Sequence, residues 1–228
     1  MSVWLSYSLS DFLLFSPRTY YRLFELYNEA VWPAHVLAAA FGIAILWLQR
    51  SGTAWRGRAI AAGLAGCWLW VAWGYHLTWF DPINWAARYF AIAFAIEALL
   101  LAWSGAVRGR LGLRPGADFI TRAGMALFIF ALVVQPLLGP LLGRPWAQIE
   151  LFGLAPDPTA AATLGIVLMA DRPKWHLLVI PLIWCATTGA TLWAMQSPEA
   201  LLMPIIAAVA LVLAGWKSVN SARPAEGT

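Results

Sequence analysis

The chain has 228 residues, of which 61% are hydrophobic and only 11% charged, with fifteen tryptophans and a formal charge of +4. Such a balance excludes an ordinary soluble domain, which has no means of hiding so much apolar surface from water, and it assigns the chain to a bilayer as one membrane domain. The positive charge does not read as nucleic-acid binding, because the basic residues gather at the ends of apolar stretches, where membrane topology accounts for them.

The opening stretch, MSVWLSYSLSDFLLF, lacks the basic start and small-residue cleavage site of a signal peptide, so it is expected to remain in the mature protein. SPRTYYRLFELYNEAVWP follows, with Ser16 as an N-cap and Pro17 as the first helical residue. Arg18, Arg22, Glu25 and Glu29 form one stripe of that helix, and Leu23, Phe24, Tyr27 and Val31 form the other. Residues 1–31 therefore read as an N-terminal interfacial segment whose amphipathic helix lies in the membrane surface, as an anchor, a docking helix or a structural lid.

Apolar spans follow at residues 32–49, 59–80, 85–107, 117–141, 159–170, 175–196 and 199–216. The fold class expected is all-α, an integral membrane helical bundle of about seven spans over residues 32–217, with residues 218–228 as a disordered tail. Arg50, Arg56 and Arg58 follow the first span, Arg108, Arg110 and Arg114 the third, Arg172 and Lys174 the fifth, and Lys217 and Arg223 the seventh. The positive-inside rule makes these connections cytoplasmic, which places the N-terminus outside and the C-terminus inside. Arg18, Arg22, Arg88 and Arg144 fall on the other side with Asp81, Glu150, Asp157 and Glu199. Asp118 and Arg122, four residues apart at the inner end of the fourth span, are expected to pair.

The fifth span is irregular. Residues 159–170 cover only about 18 Å, short of the ~30 Å hydrocarbon core. Before them, Gly153, Pro156 and Pro158 interrupt any regular helix, so Asp157 reads as an N-cap and Pro158 as the first helical residue. Two arrangements fit: a broken helix beside a watery, protein-lined cavity of the kind that builds transporter sites, or a tilted short helix with an external loop.

Polar residues collect near this interruption. His35 shares a helical face with Ala38, Ala39 and Gly42, and His76 with small residues such as Ala65 and Ala72, which points both imidazoles inward at similar depth. Gln135 precedes the kinking Pro136, while Asp81, Asn84 and Arg88 occupy the outer turn near Asp157. Together these residues form a candidate ligand or ion site, with three uses open: proton or cation access, a transition-metal site built on His35, His76 and Asp157, or a structural hydrogen-bond network. The two histidines also permit axial haem ligation, but no cofactor is required to explain them. Glu97 lies near mid-membrane, opposite in direction to Arg88, and must be protonated or find a partner such as Thr187, Thr188 or Thr191. His176 reads as an interfacial anchor, and Cys67 and Cys185 as packing residues.

The order of SDFLLFSPRTYYRLFELYNEAVWP, YHLTWFDPINWAARYF, FGLAPDPTAAATLGIVLM and WHLLVIPLIW resembles an uncharacterised bacterial multi-pass membrane-protein family, domain of unknown function 6064. The resemblance covers nearly the whole chain and rests on Tyr75, His76, Phe80, Ile83 and Asn84, matching a Tyr-His pair before a Phe-x-x-Ile-Asn turn. Family members also often carry Pro-Cys-Pro-Thr where this chain has Pro156, Asp157, Pro158 and Thr159, so no thiol chemistry carries over. The resemblance implies a bacterial cytoplasmic (inner) membrane, and some relatives are labelled transporters or permeases. The function expected is transport of a small solute or ion through an outward-facing polar site. The alternative is a noncatalytic membrane subunit that docks a protein partner or lipid. No nucleophile–base set, zinc signature, P-loop or dinucleotide fingerprint marks an enzyme. The last span has no central lysine for a retinal Schiff base, since Lys217 lies beyond it.

Overall fold

In a computed structural model the described residues are 15–51, 53–113 and 118–222. The beginning of the N-terminal segment, Arg114, Arg223 and the last residues of the tail lie outside them. Nine α-helices run through the described residues: α1 (Pro17–Ala30), α2 (Ala34–Arg50), α3 (Arg56–Trp70), α4 (Ala87–Leu100), α5 (Phe119–Ile129), α6 (Gln135–Leu141), α7 (Pro156–Leu168), α8 (Val179–Ala194) and α9 (Leu202–Ala222). Three stretches widen into π-helix without breaking the rod: Val71–Phe80 after α3, Leu101–Val107 after α4, and Phe130–Val134 between α5 and α6. The widening shows in bonds of five-residue span, Asp81 N–H to His76 O at 2.9 Å and Arg108 N–H to Trp103 O at 3.0 Å.

Among the described residues four helices are long and apolar enough to cross a membrane: Ala87–Val107, Phe119–Leu141, Trp175–Ala194 and Leu202–Asn220, or up to five if the bent pair α1 and α2 counts as one. The sequence predicts about seven. The difference has a plain cause, since α2 has 17 residues, α7 has 13, and the Arg56–Phe80 rod is diluted by arginines, glycines and polar aromatics. Helix α9 continues through Lys217 to Ala222, so residues 218–222 extend the last helix and do not start a tail.

Ser16 caps α1 by accepting the Thr19 N–H at 3.1 Å, with Pro17 in the first turn. Its buried residues, Tyr20, Leu23, Phe24 and Tyr27, face the π-helical end of α3, where Phe24 stacks on Tyr75 with ring centres 5.2 Å apart. The Tyr27 hydroxyl takes the Trp70 indole N–H at 2.8 Å and donates to the Leu154 carbonyl at 3.0 Å. That pair of bonds ties α1 to α3 and to the connection entering α7. Helix α2 leaves α1 at 89°, after the cis Trp32–Pro33 peptide.

Helix α7 is the centre of the bundle. Every one of its 13 residues is buried, against α3, α5, α8 and α9, as an all-round apolar helix must be. It meets α5 backbone to backbone: a Cβ on Gly165 would lie 2.6 Å from the Gly124 carbonyl oxygen, and one on Gly124 2.6 Å from that of Gly165. Small residues allow such close approach, and the dispersion attraction between the closely packed backbones binds the two helices.

At the far end of α7 the Lys217 ammonium donates to the carbonyls of Leu168 and Ala170, placing a cation where the helix dipole favours one. Arg56 donates to the carbonyls of Ser51 and Leu113 at this same end. Asp118 does not pair with Arg122. It caps α5, accepting the Thr121 N–H at 3.0 Å and the Thr121 hydroxyl at 2.6 Å, and those bonds hold its carboxyl below the ordinary aspartate range.

Candidate functional site

The start of α7 organises the other end. Pro156 opens the helix, so Asp157 sits inside the first turn and not at the cap, which is Ala155. No side chain among the described residues caps α7; the Thr159 hydroxyl accepts the Gly153 N–H at 2.9 Å and donates to the Ala155 carbonyl at 2.6 Å, tying the turn before the helix to its first residues. Gly153 has φ of +81°, and a Cβ there would meet the Cys67 sulfur at 3.1 Å, so glycine is required on both counts. Asp157 reaches sideways to α8. Its Oδ1 accepts the Trp184 indole N–H at 2.7 Å and the Thr188 hydroxyl at 2.8 Å. One turn on, the Thr163 hydroxyl accepts the Trp68 indole N–H at 2.8 Å.

Beside Asp157 lies a charged cluster drawn from two connections, α6–α7 and α8–α9. Arg144 donates through one terminal nitrogen to both oxygens of Glu199, at 2.7 and 2.8 Å, and its other terminal nitrogen lies 3.7 Å from Glu150. Its guanidinium also covers the Tyr21 ring at 4.4 Å, and the Tyr21 hydroxyl meets Ser197 Oγ at 3.1 Å. Gly139 makes room for this arginine, since a Cβ there would come within 2.8 Å of the guanidinium. Burial, with the Asp157 carboxylate adding to it, pushes the Glu150 carboxyl well above the ordinary glutamate range against the pull of Arg144.

Gln135, Arg144, Glu150, Asp157, Glu199 and Met203 line one narrow cavity, with about 20 Å³ open to the centre of a water-sized sphere. That is room for about one water and far too little for an organic solute in this conformation. Gln135 donates to the Met203 sulfur at 3.5 Å, while its buried carbonyl oxygen has no partner among the described residues. Buried amide oxygens are almost always bonded, so this one marks a place for a donor.

The remaining predicted residues divide. His76 is fully buried, bonded through neither nitrogen to any described residue, and packed among Tyr75, Phe80, Phe90, Phe94 and Trp184. Trp184 is the side chain that links it to Asp157. His35 does not join it: that ring lies beside Trp32, with Nε2 3.3 Å from Asn28 Oδ1, so its contacts are with α1 and the α1–α2 turn. The two imidazoles therefore do not form an axial pair. Asp81 and Arg88 make an exposed bidentate ion pair at 2.8 and 3.0 Å, and Asn84 accepts the Ala86 N–H at 3.0 Å, all three outside the cavity. Glu97 is fully buried, and neither oxygen bonds to a described residue, since Thr188 is taken by Asp157, and Thr187 and Thr191 bond back to their own helix. His176, expected as an anchor, meets Ser104 Oγ at 3.1 Å.

Among the described residues no group of three or more His, Cys, Asp or Glu side chains is placed to hold a metal ion. Arg144 and Glu199, absent from the sequence-derived site, are central to the cluster, as is Glu150. The usable signal is their shared side: three charges of mixed sign expected at the end where the short helix begins.

These features define an all-helical bundle wrapped around a short buried helix, with a carboxylate–guanidinium cluster at the helix start. The chain belongs to a family of unknown function, DUF6064, whose model matches residues 18–224. Comparison with curated proteins and with solved structures returned no match.

Proposed function

We propose that the protein is an integral membrane transporter of a small solute or ion, with the cavity at the start of α7 as its outward-facing access site. The observation that carries this reading is a half-length helix, enclosed on all sides, whose first turn holds a buried carboxylate against a polar cavity. Ionisable groups at membrane depth are costly and are retained for pathways, and interrupted helices with polar first turns supply transport sites. The basic residues support an orientation with Arg56, Arg172, Lys174 and Lys217 at the cytoplasmic end of a bacterial inner membrane and the Arg144 cluster outside. Helix α1 would then lie along the outer surface. An incoming cation or donor competes with Arg144 for Glu199 and with the indole for Asp157, so occupancy loosens contacts that hold the mouth shut.

Liposomes containing the purified protein test this by uptake of labelled solutes and ions. Asp157→Asn and Glu199→Gln should lower uptake while leaving detergent-extracted protein monodisperse. No uptake across a broad panel would remove the reading. One observation favours a second: a groove between α1 and the end of the Val71–Phe80 stretch has an apolar floor of Leu23, Leu26, Trp79 and Ile83, with Arg18 and Arg22 at its edge. A noncatalytic subunit would use that groove to hold a lipid or protein partner, and gentle extraction followed by mass spectrometry would recover the partner in fixed proportion.

A further inference from the structure

Glu97 takes no part in the cavity, yet it stands on a line that leads from it. On α4, Phe90 and Glu97 are seven residues, close to two turns, apart and so share one face, and Ser104 stands seven residues further on in the π-helical continuation. Phe90 and Phe94 touch His76, with ring centres 5.9 and 4.6 Å away, and Ser104 touches His176 at 3.1 Å. Glu97 thus lies about 5–10 Å along the helix from the level of His76 and about 10 Å from that of His176. His76 lies against Trp184, which bonds Asp157 of the cavity, and His176 is exposed at the opposite end. Both contacts fall in π-helical stretches, Val71–Phe80 and Leu101–Val107, a distortion common at functional positions.

Burial without partners is the second, independent observation. Both nitrogens of His76 and both oxygens of Glu97 are covered by protein and bonded to none of the described residues, an expensive arrangement for a purely structural pair. The elements packed on α4 are the Arg56–Phe80 rod, the Trp175–Leu177 turn and α8. Their titratable or charged side chains are Arg56, Arg58, Cys67, Tyr75, His76, His176 and Cys185. Arg56 is committed to two carbonyls and Arg58 lies beside Gly109, both at the His176 end, and none of these groups bonds to Glu97.

We infer, resting on the transport reading, that the ion this protein handles is the proton and that Glu97 is its interior carrier, loaded from the Asp157 end past His76 and discharged towards Ser104 and His176. Each step breaks one O–H or N–H bond as another forms: His76 accepts at one ring nitrogen and releases from the other, and Glu97 alternates between carboxylate and carboxylic acid. Intervals of about 5–10 Å exceed a direct hydrogen bond, so transient files of water carry the proton across them. The cavity suits this traffic, since it has room for water and not for a solute.

Liposomes with a trapped pH dye and an imposed potassium-diffusion potential provide the test. The wild-type protein should acidify the lumen, Glu97→Gln should lower that rate roughly tenfold or more, and Glu97→Asp should keep part of it. An infrared carboxylic-acid carbonyl band that changes with pH, shifts in Glu97→Asp and is missing from Glu97→Gln would assign the proton to this residue. Equal proton flux in folded wild-type and Glu97→Gln protein overturns the inference. So does solute or metal-ion uptake with no proton movement, an outcome that leaves the transport reading standing. Absence of every flux removes both. If Glu97→Gln does not fold, a wild-type carbonyl band indifferent to pH overturns the proposal on its own.

Discussion

Trp184 donates its indole N–H to Asp157 at 2.7 Å while its ring packs on His76 at a centre-to-centre distance of 5.1 Å. One side chain of α8 thereby joins the charged cavity to the aromatic cage around an unbonded imidazole. Trp184→Phe keeps most of the packing and removes the donor, so it should destabilise the protein by about 1–3 kcal/mol, as loss of a buried bond to a charged group does. Thr188→Val should cost a similar amount. Thermal melts of the two single variants and the double variant in one detergent should show non-additive losses, because both bonds end on the same oxygen.

Arg144 holds Glu199 through two bonds from one nitrogen and stacks on Tyr21. Lysine offers a point charge without the planar fork, so Arg144→Lys should lose about 1.5–3 kcal/mol of stability. Adding Glu199→Gln should restore part of it, measured by the same melts. Full stability in Arg144→Lys would mean that the cluster contributes nothing to the fold.

Glu150 gives a pH dependence with a definite sign. Its folded-state pKa of about 8 stands above the usual 4.5, so the folded chain binds the extra proton between those values. Its contribution to stability should be fullest below about 4.5, fall as pH rises through this window, and level off above about 8. Glu150→Gln should flatten the slope and exceed the wild-type melting temperature at the alkaline end. A melting-temperature difference between Glu150→Gln and wild type that does not grow with pH across the window would contradict the assignment.

The α5–α7 crossing predicts opposite responses to one substitution. Gly165→Ala and Gly124→Ala each drive a methyl against backbone and should cost about 1–3 kcal/mol. Gly66→Ala, on α3 with nothing within 4 Å of the added carbon, should be neutral or stabilising by up to about 1 kcal/mol. Unfolding yields in graded denaturant would separate the three variants.

How much of this is legible in the sequence follows from how far each contact reaches along the chain. The apolar rods announce themselves by length, and the shortness of α7 is readable from Pro158 to Ala170 because punctuation is local. Its complete enclosure is not readable, since an all-round apolar helix of this length looks the same whether covered by lipid or by neighbours. Asp157 reads one role off because the helix begins one residue earlier, at Pro156, and its carboxylate is taken by Trp184 and Thr188, partners 27 and 31 residues away. Arg144 and Glu199 are 55 residues apart in connections without periodicity, so only their shared end of the bundle hints at pairing. His35 and His76 look equivalent from their small neighbours, and the contacts that distinguish them, Asn28 and Trp32 for one and an aromatic cage for the other, leave no mark in helical spacing.

The enclosed α7 also constrains how the protein is made. For a chain that crosses a bilayer, rods usually insert one by one and then associate, each stable alone in hydrocarbon. Thirteen residues opening with two prolines have neither the length nor an outward surface for such waiting. Two of its walls, α8 and α9, are synthesised after it. The segment must therefore be sheltered until the C-terminal third of the chain arrives, and truncations ending before Leu202 should leave it accessible to proteases and bound to insertion chaperones.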